Sequence, residues 1–132
     1  MDELVFLRWL GEQIDEDERT ARATTWDGSD NKLSWELIAS ATIDVGGDEF
    51  YVGDRTIANH MMAHDPERVL REIDAKRQLV ALHKEIEDPQ EMQDYCATCE
   101  PEGNYPYYPC KTLRLLALSY ADRPGYREEW RP

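Results

Sequence analysis

Apolar residues recur at helical spacing from the start of the chain: Leu4, Leu7, Trp9, Leu10 and Ile14, with Arg19, Ala21, Arg22 and Ala23 continuing the register. A repeat of three to four residues lines one side of an α-helix, so residues ~3–24 are expected to form an amphipathic helix. Asp15, Glu16, Asp17 and Glu18 fall inside it as a solvated acidic face, without the spaced oxygens and central glycine of a calcium loop. Trp26 to Leu33 is polar and rich in turn formers, which ends the helix. The pattern then changes to β-branched and aromatic residues. Trp35–Ile43 and Glu49–Val52 flank Asp44-Val45-Gly46-Gly47-Asp48, predicting a β-hairpin that needs a helix packed on one face.

Helical spacing returns at Thr56–His64. Asp65, Pro66 and Glu67 then supply an N-cap, a first-turn proline and an acidic first turn for a new helix. Val69, Leu70, Ile73, Val80 and His83 form its apolar stripe, Leu79, Leu82 and Ile86 broaden it, and Asp88-Pro89 should stop it. The most apolar segment, Leu113 to Tyr120, predicts a central C-terminal helix ended by Pro124-Gly125, after which Tyr126 and Trp130 dock the tail as a short turn. The expected fold is α+β and mostly helical: an N-terminal helix, one β-hairpin, a long central helix, a cysteine-rich zinc loop and a C-terminal helix. The chain of 132 residues suits one domain with a single modest core, residues 88–112 forming a zinc-knuckle loop within it.

Charge narrows the partners. Fifteen Lys and Arg against 28 Asp and Glu give a formal net charge of −13. The surplus is regional, with 14 acidic and 4 basic residues in 1–54, 9 and 6 in 55–95, and 5 and 5 in 96–132. Such a field repels phosphate and anionic lipid, so direct binding to nucleic acid or a membrane surface is disfavoured, most firmly for the N-terminal part. The chain has no apolar run of membrane-spanning length and no basic start of a signal peptide, which predicts a cytoplasmic protein.

The chemistry concentrates in Cys96, Cys99 and Cys110. An odd number of cysteines within fifteen residues is a poor disulfide framework. The spacing Cys96-Ala-Thr-Cys99 lets two thiolates from one tight turn reach the same tetrahedral ion, and Cys110 returns after a loop rich in proline, glycine and tyrosine. Tyr105, Tyr107 and Tyr108 are candidates to cover such a site. His83, thirteen residues before Cys96, is the favoured fourth ligand, with Asp94 as the substitute. A Cys3His set leaves no open position, which points to structural zinc rather than catalytic metal. The competing readings are a redox pair at Cys96 and Cys99, or three incidental thiols. Asp88-Pro89 and Glu100-Pro101 bracket the segment as loop, unlike the strand and helix of a thioredoxin motif.

His60 and His64, four apart on a predicted helix, form a weaker second candidate for a metal, with Asp54 or Asp65 as an oxygen donor. The segment departs from His-Glu-x-x-His because Met61 stands where the general base would be. Surface and packing roles for these histidines are the competing reading.

Asn59-His60, His64-Asp65-Pro66-Glu67-Arg68-Val69-Leu70-Arg71-Glu72, Ala75-Lys76-Arg77, His83, Cys96-x-x-Cys99, Cys110 and Tyr120-Ala121-Asp122-x-Pro124-x-Tyr126-Arg127-Glu128-Glu129-Trp130 give the chain a wider likeness. It resembles a family of small acidic proteins without an assigned function, found in actinobacteria and their phages. The resemblance covers the N-terminal helix and nearly everything after residue 55 or so, and implies a cytoplasmic setting and a phage or accessory-genome origin. It implies no reaction, substrate or catalytic residue. Three functions are therefore open. The first is a zinc-stabilised protein acting by contact with a host or phage protein. The second is an acidic mimic of nucleic acid that inhibits a host enzyme, with carboxylates on one face at roughly the ~7 Å spacing of phosphates. The third is a metal-dependent hydrolase using His60 and His64.

Overall fold

The computed structural model describes residues 3–25, 28–87, 94–99 and 108–132. The fold is α+β, with helices outweighing strands. Its contacts gather into two compact units, Met1–Ile14 with Ala75–Pro132, and Asp15–Asp74. No helix among the described residues is long and apolar enough to cross a membrane.

Helix α1 runs from Glu3 to Ala23, as the periodicity predicts. Its buried positions are Phe6, Trp9, Leu10, Ile14 and Ala21, whereas Leu4 is 65% exposed. The inward stripe is therefore set by Phe6 and the residues three, four and eight positions beyond it, and Leu4 lies off that stripe.

Within Asp15–Asp74, the expected hairpin is present and has an additional strand. Strands β1 (Glu36–Ile38), β2 (Thr42–Asp44) and β3 (Glu49–Tyr51) form an antiparallel sheet in that order. The run expected to be one strand from Trp35 to Ile43 is broken between Ile38 and Thr42. Ser40 and Ala41 there adopt φ of 59° and 58°, the left-handed conformation of a tight turn, and the chain folds back on itself. Glu36 pairs with Asp44 across β1 and β2, and Asp44 with Glu49 across β2 and β3.

Helix α2 (Arg55–Ala63) packs on this sheet through Ala58, forming a small core with Ala41, Ile43 and Val45, bordered by Trp35, Leu37, Val52 and Met62. Asp54 caps α2 by accepting from the Ile57 amide at 3.0 Å. Asp65 caps α3 (Pro66–Leu82) as expected, accepting from the Arg68 amide at 2.9 Å, and its second oxygen accepts from the Trp35 amide at 3.0 Å. One carboxylate thus starts a helix and anchors the entry to the sheet.

In the other unit the core is aromatic. Trp130, in a short 3-10 turn at Glu128–Trp130, is fully buried and packs edge-on to Phe6 at 5.3 Å and to Tyr126 at 5.7 Å, with Trp9 at 5.2 Å. The expected docking of the tail by Tyr126 and Trp130 is observed. Trp9 Nε1 donates to the Pro124 carbonyl at 2.8 Å, tying α1 to the turn that ends at Gly125. Helix α4 (Lys111–Leu118) contributes Leu113 and Ala117, with Tyr120 just beyond it. Leu115 and Leu118 are exposed, so α4 is buried on one face only and is less central than its composition suggests.

Candidate metal centre

The chemistry lies where α3 ends. The helix was expected to continue toward Asp88, but it stops at Leu82 and His83 is the first residue past it, its amide donating to the Leu79 carbonyl at 3.1 Å. Glu85–Ile86 then form strand β4, which pairs antiparallel with β5 (Tyr95–Cys96), Glu85 opposite Cys96 and Ile86 opposite Tyr95. Ile86 is thus a strand residue rather than part of the α3 stripe. This two-residue pairing carries Cys96 back beside His83. The Ala97 amide donates to the Lys84 carbonyl at 2.9 Å and the Thr98 hydroxyl donates to the Leu82 carbonyl, fixing the Cys96-x-x-Cys99 turn against the helix end. Cys110 enters as the N-cap residue of α4.

His83 Nδ1 lies 3.3 Å from Cys96 Sγ, 3.5 Å from Cys99 Sγ and 3.6 Å from Cys110 Sγ. All four ligand atoms lie within 4.8 Å of one another, and the three cysteines form no disulfide. An imidazole Nδ1 offers one N–H or one lone pair, so it cannot serve three sulfurs as ordinary hydrogen bonds. The distances match instead the edge of a tetrahedron around a shared ion: metal–nitrogen and metal–sulfur bonds of about 2.0–2.1 and 2.3 Å imply an N···S edge of roughly 3.5 Å. This donor set fits a metal ion, and the four residues could hold one. His83, Cys96 and Cys110 are buried, while Cys99 is at the surface.

The surroundings suit thiolates. The Cys99 amide donates to Cys96 Sγ at 3.5 Å, the knuckle contact that relieves charge on a ligating sulfur. Without a cation the site resists ionisation: burial, together with its neighbours Cys96 and Cys99, pushes the Cys110 thiol up to about 12, against an opposing pull from the Leu113 backbone. A bound divalent cation reverses that balance by supplying the compensating charge. Tyr108 is buried, and its hydroxyl donates to the His83 carbonyl at 2.7 Å. Burial and the nearby thiols raise the Tyr108 hydroxyl above its ordinary range, keeping it the donor. Tyr105, Tyr107 and most of the expected 88–112 loop lie outside the described residues.

Asp94 does not join the sulfurs. It gathers with Glu3 and Glu85 in a separate carboxylate group, where hydrogen bonding to Asp94, burial and repulsion from Asp94, Glu3 and Glu87 lift Glu85 to about 7. This group was missed in the sequence because Glu3 and Asp94 are distant along the chain.

The chain matches a family of unknown function, DUF6221, over residues 1–132. It belongs to that family. No curated protein and no solved structure matches the DUF6221 chain.

The second candidate pair in this DUF6221 protein looks different. His60 and His64 are exposed on and just after α2, their rings 4.4 Å apart, and His64 Nδ1 donates to the His60 carbonyl at 2.9 Å. Among the described residues no third histidine, cysteine or carboxylate joins them in a ligand group. Asp54 and Asp65, the expected oxygen donors, cap α2 and α3.

Proposed function

We propose that this DUF6221 protein is a small cytoplasmic protein stabilised by structural zinc at His83, Cys96, Cys99 and Cys110, which acts through contact with a host or phage protein. The observation that carries the zinc reading is His83 Nδ1 nearly equidistant from three sulfurs. Soft thiolates with one imidazole in a tetrahedral set favour zinc, and four protein ligands leave no position for substrate. Three free thiols around a metal fit a reducing compartment. The interaction reading is supported by four exposed leucines, Leu79 and Leu82 on α3 and Leu115 and Leu118 on α4, on the helices that lead into His83 and out of Cys110.

The nucleic-acid mimic is less favoured. Asp15–Asp74 holds 15 acidic and 6 basic residues, but Asp54 and Asp65 cap helices and Glu16, Glu18 and Glu36 pair with Arg19, Arg22 and Lys32. Carboxylates tied in this way present a weaker copy of a phosphate backbone. Among the described residues, the exposed His60 and His64 have no third ligand group to support the hydrolase reading.

The test is elemental analysis of the purified protein, followed by thermal unfolding with and without a zinc chelator. One zinc per chain and a large fall in melting temperature on chelation are expected, because ligation free energy is also folding free energy. Metal-free protein with an unchanged melting temperature would end the proposal. Capture of a defined protein partner, abolished by Leu82→Asp with Leu115→Asp but insensitive to competing DNA, is the expected result for the interaction. Release of the partner by DNA would favour the mimic.

A further inference from the structure

The three-stranded sheet of the unit Asp15–Asp74 has two edges, and they differ. At the β1 edge the Trp35 amide is taken up by Asp65. Among the described residues no strand lies beyond β3. The ladder fixes which of its backbone groups are spare. The Val45 amide donates to the Asp48 carbonyl and the Val52 amide to the Ala41 carbonyl, each at 3.0 Å. In the alternation of an antiparallel pair, Phe50 therefore exchanges its hydrogen bonds with Ile43, and the amides and carbonyls of Glu49 and Tyr51 point outward. Glu49, Phe50 and Tyr51 are all exposed, Phe50 at 54% and Tyr51 at 75%. Backbone groups in line beside exposed aromatic side chains are a template for one more strand.

Alternation also gives this edge two different faces. Phe50 lies on the α2 side with Ile43, where it borders an apolar hollow shared with Val45 and Met61. Glu49 and Tyr51 lie on the other side. There Glu36, Asp44 and Glu49 stand directly opposite one another across the three strands. Like charges in that arrangement cost stability. Lys32 Nζ offsets part of the cost, at 3.3 Å from Glu36 and 4.0 Å from Asp44, and among the described residues no cation pairs with Glu49. A second copy of this chain is a poor occupant, because pairing two β3 edges brings together two units that each carry 15 acidic and 6 basic residues.

We propose that β3 docks an extended peptide segment of another protein in which basic and apolar residues alternate. The segment exchanges backbone hydrogen bonds with Glu49 and Tyr51. A lysine or arginine opposite Glu49 neutralises the end of the carboxylate row, an arginine opposite Tyr51 stacks on the exposed ring, and the apolar residue between them packs on Phe50 beside the hollow. The metal ligands and the four exposed leucines belong to the other unit, so this docking does not depend on the zinc reading.

The probe is the peptide acetyl-Val-Arg-Val-Arg-Val-amide, titrated into the ¹⁵N-labelled full chain while the Glu49, Phe50 and Tyr51 amides are followed. Saturable shifts largest at Glu49 and Tyr51 are expected. The same peptide with both arginines replaced by glutamate should bind at least about 10-fold more weakly, and so should the peptide methylated on the backbone nitrogens of both arginines, which keeps the charge and removes the donors. Glu49→Lys, an exposed change whose folding is checked by the retained amide spectrum, should weaken the arginine peptide about 3- to 10-fold. No saturable shift into the millimolar range, or shifts centred away from β3, overturns the proposal. Equal binding of the glutamate or the N-methylated peptide, or undiminished binding by Glu49→Lys, also overturns it. Movement of the Glu49 and Tyr51 amides on dilution of the protein alone would overturn it in favour of a second copy.

Discussion

Tyr108→Phe isolates one hydrogen bond at the edge of the candidate metal centre. The ring of Tyr108 is buried and remains in the variant, so the change removes only the donor that reaches the His83 carbonyl at 2.7 Å. A typical hydrogen bond contributes ~0.5–1.5 kcal/mol net, and leaving a buried acceptor unpaired raises the loss to about 1–3 kcal/mol. For a chain of this length, each kcal/mol corresponds to roughly 3–6 °C in melting temperature. A loss near the middle of that range lowers the melting temperature by roughly 6–12 °C. The zinc content should not change, because the hydroxyl bonds the backbone of His83 and not the ligating Nδ1. Thermal unfolding by circular dichroism, paired with elemental analysis of the same samples, reads both quantities. A melting temperature within about 1 °C of the wild type, with zinc retained, would refute the assigned role of this hydroxyl.

Asp65→Ala removes both the α3 cap and the acceptor for the Trp35 amide; an unfolding free energy lower by about 2–3 kcal/mol is expected in urea titration, more than a single cap provides. Gly125→Ala should destabilise by at least ~2 kcal/mol, since φ is +92° and the added Cβ would lie 2.7 Å from Trp9 Nε1, the atom that bonds Pro124; a neutral effect would be inconsistent with that packing. Cys110→Ser should lower zinc affinity measured by competition with a chromogenic chelator, while His60→Ala with His64→Ala leaves it unchanged. Glu128 is held below its ordinary value by Arg131, so its contribution is present above pH 4.5 and is lost as pH falls through the depressed value. Glu128→Gln should therefore lower the melting temperature slightly above pH 4.5, leave it unaltered at pH well below the depressed value, and so remove a small acid-side slope.

Much of the candidate metal centre was readable because its evidence is local. Two thiolates two residues apart can share an ion whatever the rest of the chain does, and an odd third cysteine after a turn-rich loop argues against pairing. Helix starts were equally legible: Asp65-Pro66-Glu67 reads as a cap, and its oxygens are found on the Arg68 and Trp35 amides. The extent of the elements was less so. Apolar residues at 79, 82 and 86 fit a longer α3, yet the helix stops at Leu82 because β4 pairs with β5, a partner ten residues on. The run from Trp35 to Ile43 reads as one strand, but the turn at Ser40 and Ala41 divides it, and neither residue advertises a positive φ.

By itself the sequence determined the candidate ligand types, the helix starts and the acidic bias of the N-terminal part, since each depends on neighbours within a few residues. Only the tertiary structure decided that His83, rather than Asp94, lies among the three sulfurs, that Glu3, Glu85 and Asp94 meet, and that Trp35 Nε1 and Asn31 Oδ1 are buried without a hydrogen-bond partner among the described residues. Those outcomes depend on which distant segments come within hydrogen-bonding or ligating distance, a property of the folded chain that local spacing does not encode.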